Sequence, residues 1–154
     1  LKEFLLLASK LKTPVNTLIV GKDKNISSYK RLAKKLGLNA YFLGEQKSTA
    51  KFYEASDIFI FPTHYEPFSN VVLEALSFKN VVFTTAQNGA SEILEDKFVL
   101  QSSSDESALE FIDEILTNHE LLASLQEKAY ELSLNFSIEK NAALTLEVIK
   151  DALK

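Results

Sequence analysis

Four short apolar runs, separated by stretches of helical periodicity, constrain this chain more than any other feature. They are Asn16 to Val20, Ala40 to Leu43, Asp57 to Phe61 and Val81 to Thr85. Each is rich in β-branched or aromatic residues, and Gly21 and Gly44 follow the first two, where the backbone must turn sharply. Strands alternating with helices call for a parallel sheet whose crossovers are helices packed on its faces. The chain is therefore expected to be α/β, a Rossmann-like parallel sheet sandwiched by helices, forming one unit over residues 1–154.

The intervening segments carry start and stop signals. A first helix is expected over about residues 2–12, closed by Thr13-Pro14. A second runs from about Ser27 to Leu36, with Gly37 as a left-handed cap. Ser48 or Thr49 caps a short helix reaching Ala55. Ser69 caps another reaching about Phe78, with Val71, Val72, Ala75 and Leu76 toward the core and Asn80 ending it. Glu92-Ile93-Leu94 reads as a short helix and Phe98-Val99-Leu100 as an edge strand. The remainder reads as helices over roughly 105–117, 119–133 and 137–153.

Composition narrows the function classes. With 154 residues, 46% hydrophobic and 25% charged, the chain can bury a core of its own. It has no cysteine, so no disulfide and no thiolate metal site, and its two histidines, His64 and His119, cannot build a histidine-rich one. No apolar run approaches the roughly 20 residues needed to span a bilayer. No secretory leader is visible before Leu1-Lys2-Glu3-Phe4, so a cytoplasmic setting is expected. The absence of methionine, and an opening on a helix without a strand before it, make an excised part of a longer polypeptide the expectation. The net charge of −4 conceals an asymmetry: residues 1–77 hold 11 Lys/Arg and 7 Asp/Glu, residues 78–154 hold 6 and 14. The basic excess in the first half suits an anionic ligand. No basic stripe interleaved with aromatics is present, so nucleic acid is not an expected partner.

Sheets of this kind bind ligands at the carboxyl ends of their strands. Those ends lead into Gly21-Lys22-Asp23-Lys24, Gly44-Glu45-Gln46-Lys47, residues 62–69 and residues 86–91. The third holds the most informative pattern, Glu66-Pro67-Phe68-Ser69-Asn70-Val71-Val72-Leu73-Glu74. One carboxylate lies in a strand-to-helix loop and the second inside the helix that follows. Between them in the chain lie helix-start amides, where an anion is favoured. Acceptors for hydroxyls around an anion site suit a sugar nucleotide. Asn70 shares the helix face of Glu74 and is placed to orient it. Lys22 and Lys24 are candidates to neutralise phosphate, and His64 sits in the loop of Glu66.

At these residues the chain resembles the carboxyl-terminal, nucleotide-binding domain of a retaining glycosyltransferase of the GT-B fold, the Glu-x7-Glu family of glycosyl transferases group 1. The likeness extends upstream through Val20-Gly21-Lys22-Asp23-Lys24, Leu32 to Leu38 and Tyr41-Phe42-Leu43-Gly44, and downstream through Val81 to Thr85 and Gly89-Ala90-Ser91-Glu92-Ile93. Within the family it is most similar to lipopolysaccharide-core glucosyltransferases, chiefly from the Gly-x-Asp-Lys loop. The resemblance implies that Glu66, the catalytic candidate, accepts from hexose hydroxyls and Glu74 from the ribose. Amides of Phe68, Ser69, Asn70 and Val71 would hold the diphosphate and the hexose. Gln46 or its neighbour Glu45 would lie beside the base. No cofactor and no metal are implied, because helix amides and basic side chains neutralise the leaving diphosphate; no Asp-x-Asp motif is present. The implied donor is a nucleoside diphosphate hexose, UDP-glucose first. The implied acceptor is a lipopolysaccharide or other surface glycan or glycolipid, at the inner face of the cytoplasmic membrane. In the family an Arg and a Lys that clamp the diphosphate precede the point where this chain begins, as do the first strand and the amino-terminal acceptor domain. The resemblance thus implies an enzyme whose present portion alone does not turn over.

Two other readings stay open. A flavodoxin-like binding or regulatory module, such as a phospho-accepting receiver, would need acidic residues after the first strand and an aspartate ending a central one. Here Asp57 begins a strand and the central strand ends in Phe61-Pro62. A sugar-nucleotide-binding domain that has lost catalysis would keep the same motif.

Overall fold

In the computed structural model, which describes residues 1–153, the strands form where the apolar runs lie. The element order is α1 (Lys2–Ala8), β1 (Asn16–Val20), α2 (Ile26–Lys35), β2 (Asn39–Gly44), α3 (Ala50–Glu54), β3 (Ile58–Phe61), α4 (Asn70–Ser77) and β4 (Val81–Thr85). Two 3-10 turns, Gly89–Ile93 and Asp96–Phe98, lead to β5 (Val99–Leu100). Then come α5 (Leu109–Thr117), α6 (His119–Ser133), a 3-10 turn at Leu134–Phe136, and α7 (Ile138–Ala152).

All strand pairs are parallel, as helical crossovers require. They do not form one continuous sheet, however. β1 pairs with β2, and separately β3 pairs with β4 and β4 with β5. The register runs Asn16 opposite Asn39 through Ile19 opposite Phe42, and Ile58 opposite Val81 through Phe61 opposite Thr84. β1 and β3 are thus not paired with each other. Helix α1 links the two groups, because its side chains reach both cores. Leu5 packs with Ile19 and Ala33, while Leu7 joins Val81, Phe83, Leu100, Ile112, Ile115 and Leu125.

The core is densest around β4, all five of whose residues are buried. Phe83 is fully enclosed, edge-on to Phe98 and Phe111 with ring centroids 5.4 and 6.3 Å apart. Burying such a side chain contributes about 2–3 kcal/mol. On the other face Val72, Ala75 and Leu76 of α4 pack with Val82, Tyr53, Ala90 and Ala129. Val71, expected among the core-facing positions, is only half-buried.

Three element boundaries differ from expectation for identifiable reasons. α1 stops at Ala8, not near residue 12, because the amides of Lys12 and Thr13 donate to the Asp113 carboxylate (3.1 and 2.8 Å) instead of continuing the helix. α5 begins at Leu109, because Asp105 accepts from the amides of Gln101 (2.7 Å) and Ser107 (2.8 Å) and holds a turn there. Glu92 and Ile93 belong to a tighter 3-10 turn, Gly89–Ile93, and Leu94 follows it in extended conformation. α7 buries none of its residues, and Ile138, Leu144, Leu146, Val148, Ile149 and Leu153 are all exposed.

Candidate functional site

The loops after the strands meet in two pairs. After β1 and β2, the Gly21 amide donates to the Gly44 carbonyl (2.8 Å), and both glycines take positive φ, +125° and +68°. A side chain there would be strained, so the sharp turns explain both residues. Lys22 and Lys24 project from this pair into solvent and form no ion pair among the described residues. The Gln46 side chain folds back, its amide donating to the Leu43 carbonyl (2.7 Å), while Glu45 is exposed.

The second pair carries the glutamate motif. β4 extends its hold on β3 beyond the ladder through two hydroxyls: Thr84 donates to the Phe61 carbonyl (2.9 Å) and Thr85 to the Thr63 carbonyl (2.7 Å). The loops then zip together. The Glu66 amide donates to the Gln87 carbonyl (3.1 Å), and the Gly89 amide to the Glu66 carbonyl (2.9 Å). Asn88, completely buried, donates to the Thr84 hydroxyl (2.9 Å) and accepts from the Ala90 amide (3.1 Å), fixing the turn. A Cβ on Gly89 would overlap the Pro67 carbonyl oxygen and lie 3.0 Å from its carbon. This glycine is required by close approach.

The main chain of Glu66 is therefore held on both sides, while among the described residues no salt bridge or side-chain hydrogen bond engages its half-buried carboxylate. Phe68 and Tyr65 flank it with exposed rings. Ser69 occupies the N-cap position of α4, as expected, but its hydroxyl makes no capping bond. Its side chain is buried, and the amides of Asn70 and Val71 remain uncapped by it. They carry the positive end of the helix dipole.

Glu74 is exposed but tethered: the Tyr53 hydroxyl donates to its Oε2 at 3.1 Å. Asn70 makes no hydrogen bond to Glu74; the tether comes from Tyr53, on α3. Burial first, then the charge of Glu74 and the hydrogen bond to it, push the Tyr53 phenol well above its ordinary value of 10.0. It stays a donor at every physiological pH. His64 pairs through Nδ1 with the Ser103 hydroxyl (3.2 Å), joining the Glu66 loop to the segment after β5. Of the expected donor-binding residues, Glu66, Phe68, Ser69, Asn70, Val71 and Glu74 thus share one loop and helix start, and Gln46 lies on the other loop pair. Tyr53 and Asn88 carry no role in the sequence analysis; the polar run Gln87-Asn88-Gly89 marks the second, and Gly89 also falls within the family likeness noted there.

Residues 1–132 match the sequence model for Glycosyl transferases group 1. An uncharacterized glycosyltransferase of Haemophilus influenzae is 28% identical over 131 residues, covering 81% of this chain and 37% of the relative. The lipopolysaccharide core biosynthesis glycosyltransferase LpsE of Rhizobium meliloti is 25% identical over 118 residues, covering 73% of this chain and 35% of its own length. The chain thus spans little more than a third of these relatives. Among solved structures, Anabaena HepE in complex with UDP and glucose superposes with a TM-score of 0.85 at 18% identity, covering 97% of this chain and 44% of that one. That likeness extends to the fold, with parallel strands flanked by helices. A glutamate motif in the strand-to-helix loop, a fold shared with HepE, and a family match over most of its length lead to one conclusion: the chain belongs to the glycosyl transferases group 1 family.

Proposed function

We propose that this chain is the donor-binding part of a retaining glycosyltransferase and holds a nucleoside diphosphate hexose, UDP-glucose first. The observation that carries the reading is the start of α4. Its amides are left uncapped by Ser69, between a Glu66 whose carboxylate has no hydrogen-bond or ion-pair partner among the described residues and a Glu74 tethered by Tyr53. Amides at a helix start suit a diphosphate. In this reading Glu66 accepts from hydroxyls of the transferred hexose and Glu74 from the ribose. The amides of Phe68 to Val71 lie along the diphosphate and sugar, and Gln46 lies beside the base. Lys22 and Lys24 are cations free to approach the phosphates. No divalent metal takes part, since amides and cations oppose the leaving charge. Orientation of the sugar and stabilisation of that charge are what these residues supply.

The domain reading follows from the unpaired edges of β1 and β3. A parallel strand preceding α1, joined by the right-handed crossover that such units adopt, would lie beside β1 and complete one sheet. An amino-terminal acceptor domain of the same polypeptide would cover the apolar side of α7, in keeping with the greater length of the relatives. The acceptor is a surface glycan or glycolipid of the lipopolysaccharide kind, met at the inner face of the cytoplasmic membrane. Among the described residues no helix is long and apolar enough to cross a membrane.

Calorimetric titration of the natural polypeptide with UDP tests this reading. Binding is expected, and Glu74→Ala should weaken it about 10- to 100-fold, the worth of a hydrogen bond to a charged group. Unchanged affinity in that variant removes the ribose role.

A further inference from the structure

Tyr53 is a buried phenol to which the donor-binding reading assigns nothing. Its ring is fixed without help from its hydroxyl. It stacks on Phe78 with centroids 5.7 Å apart and planes 19° from parallel, and meets Phe59 edge-on at 5.8 Å. Its backbone carbonyl accepts from the side chain of Asn80, which is completely buried and also donates to the Ser56 and Phe78 carbonyls. Asn80 follows Lys79, the only non-glycine residue with positive φ (+63°) among those described, so the end of α4 is bent to bring that amide under Tyr53. The phenolic oxygen is thus delivered to one point by packing against β3 and the end of α4.

At that point it meets Glu74, a carboxylate that solvent alone would satisfy. An exposed glutamate has three side-chain torsions to fix before it can bind anything. The hydroxyl therefore adds little to folding but removes freedom from Glu74. Burial and the negative charge of Glu74 keep the phenol protonated, so the donation does not switch off near neutrality. α3 also follows directly on the 45–49 loop that carries Gln46.

We infer that Tyr53 is a positioning residue for ligand binding, holding Oε2 of Glu74 so that Oε1 and the remaining lone pair of Oε2 face a vicinal diol. It touches no ligand; it acts through Glu74, and it ties the base-side loop to the ribose-side carboxylate. This inference rests on the donor-binding reading and deepens it.

The test compares two ligands and three variants in the natural polypeptide. Tyr53→Phe keeps the ring and should weaken UDP binding about 5- to 20-fold, one hydrogen bond plus the freed torsions of one glutamate. It should leave the affinity for 2′,3′-dideoxyuridine diphosphate, which lacks the diol, unchanged. The double variant Tyr53→Phe/Glu74→Ala should bind UDP no more weakly than Glu74→Ala alone. A folding defect would weaken both ligands alike, so equal losses for the two overturn the inference, as does an unchanged UDP affinity in Tyr53→Phe or an additive double variant. If Glu74→Ala weakens UDP and Tyr53→Phe does not, only the positioning role falls. If the unaltered protein fails to bind UDP, or Glu74→Ala binds it normally, the donor reading falls and this role with it.

Discussion

Glu66 and Glu74 lie on either side of one helix start and are held by opposite means. At Glu66 the main chain is fixed, by Gln87 before it and Gly89 after it, and the side chain is left unengaged. At Glu74 the main chain is ordinary helix and the side chain is fixed, by a phenol from another element. Under the proposed function, the difference separates two tasks. A carboxylate that must follow a group changing shape during reaction is best carried on a rigid backbone with its own torsions free. A carboxylate that must recognise an unchanging diol is best frozen in advance.

The comparison can be broken most forcefully at Gly89. A Gly89→Ala side chain overlaps the Pro67 carbonyl, so the loop that carries Glu66 must move. Transfer should fall below detection and unfolding free energy should drop by about 2–4 kcal/mol, read by denaturant titration. A stable and active Gly89→Ala protein would show that the Glu66 backbone need not be where it is. Glu66→Ala is the sharper cut, because it removes only the free side chain. In the natural polypeptide, turnover should fall about 30- to 1000-fold, from a loss of ~2–4 kcal/mol. UDP affinity and thermal stability should be unchanged, and a large loss of either would mean that Glu66 does the same work as Glu74.

The smallest effect supplies the control, a carboxylate oriented like Glu74 but placed elsewhere. Burial raises the pKa of Asp113, yet the amides of Lys12 and Thr13 outweigh it and hold the group below its ordinary 3.8. A lowered value in the folded protein means stabilisation that is present above about pH 3.8 and lost as pH falls through the lower, folded value. Asp113→Asn should therefore cost up to about 1 kcal/mol at neutral pH, discounted for solvent screening, and flatten the acid limb of the stability profile. UDP binding should not change. If it does, these carboxylates are not independent, and the contrast between the two glutamates loses its meaning.

The strands were legible because β-branched and aromatic runs bounded by glycine leave little alternative; β1 and β4 occupy the expected residues. The glutamate motif was legible because its loop and helix are adjacent in sequence. What was not legible depends on partners distant in the chain. Tyr53 reads as one more core aromatic in a five-residue helix, and its hydroxyl acquires meaning only where α3 meets α4. Gly89 reads as turn chemistry, whereas its need for a bare Cα comes from Pro67. The early end of α1 comes likewise from Asp113. The division of the strands into two groups has the same character, since pairing is decided by what lies beside a strand and not by what the strand contains.

The zipped loop also bears on how such a protein can diversify. Its path from Thr63 to Gly89 is set by carbonyls, amides and two threonine hydroxyls in the adjacent strand. The rings of Tyr65 and Phe68 contribute little to that path, and both point outward. Substitution at Tyr65 or Phe68 can therefore rewrite the exposed face of this loop while the scaffold beneath it stays as it is.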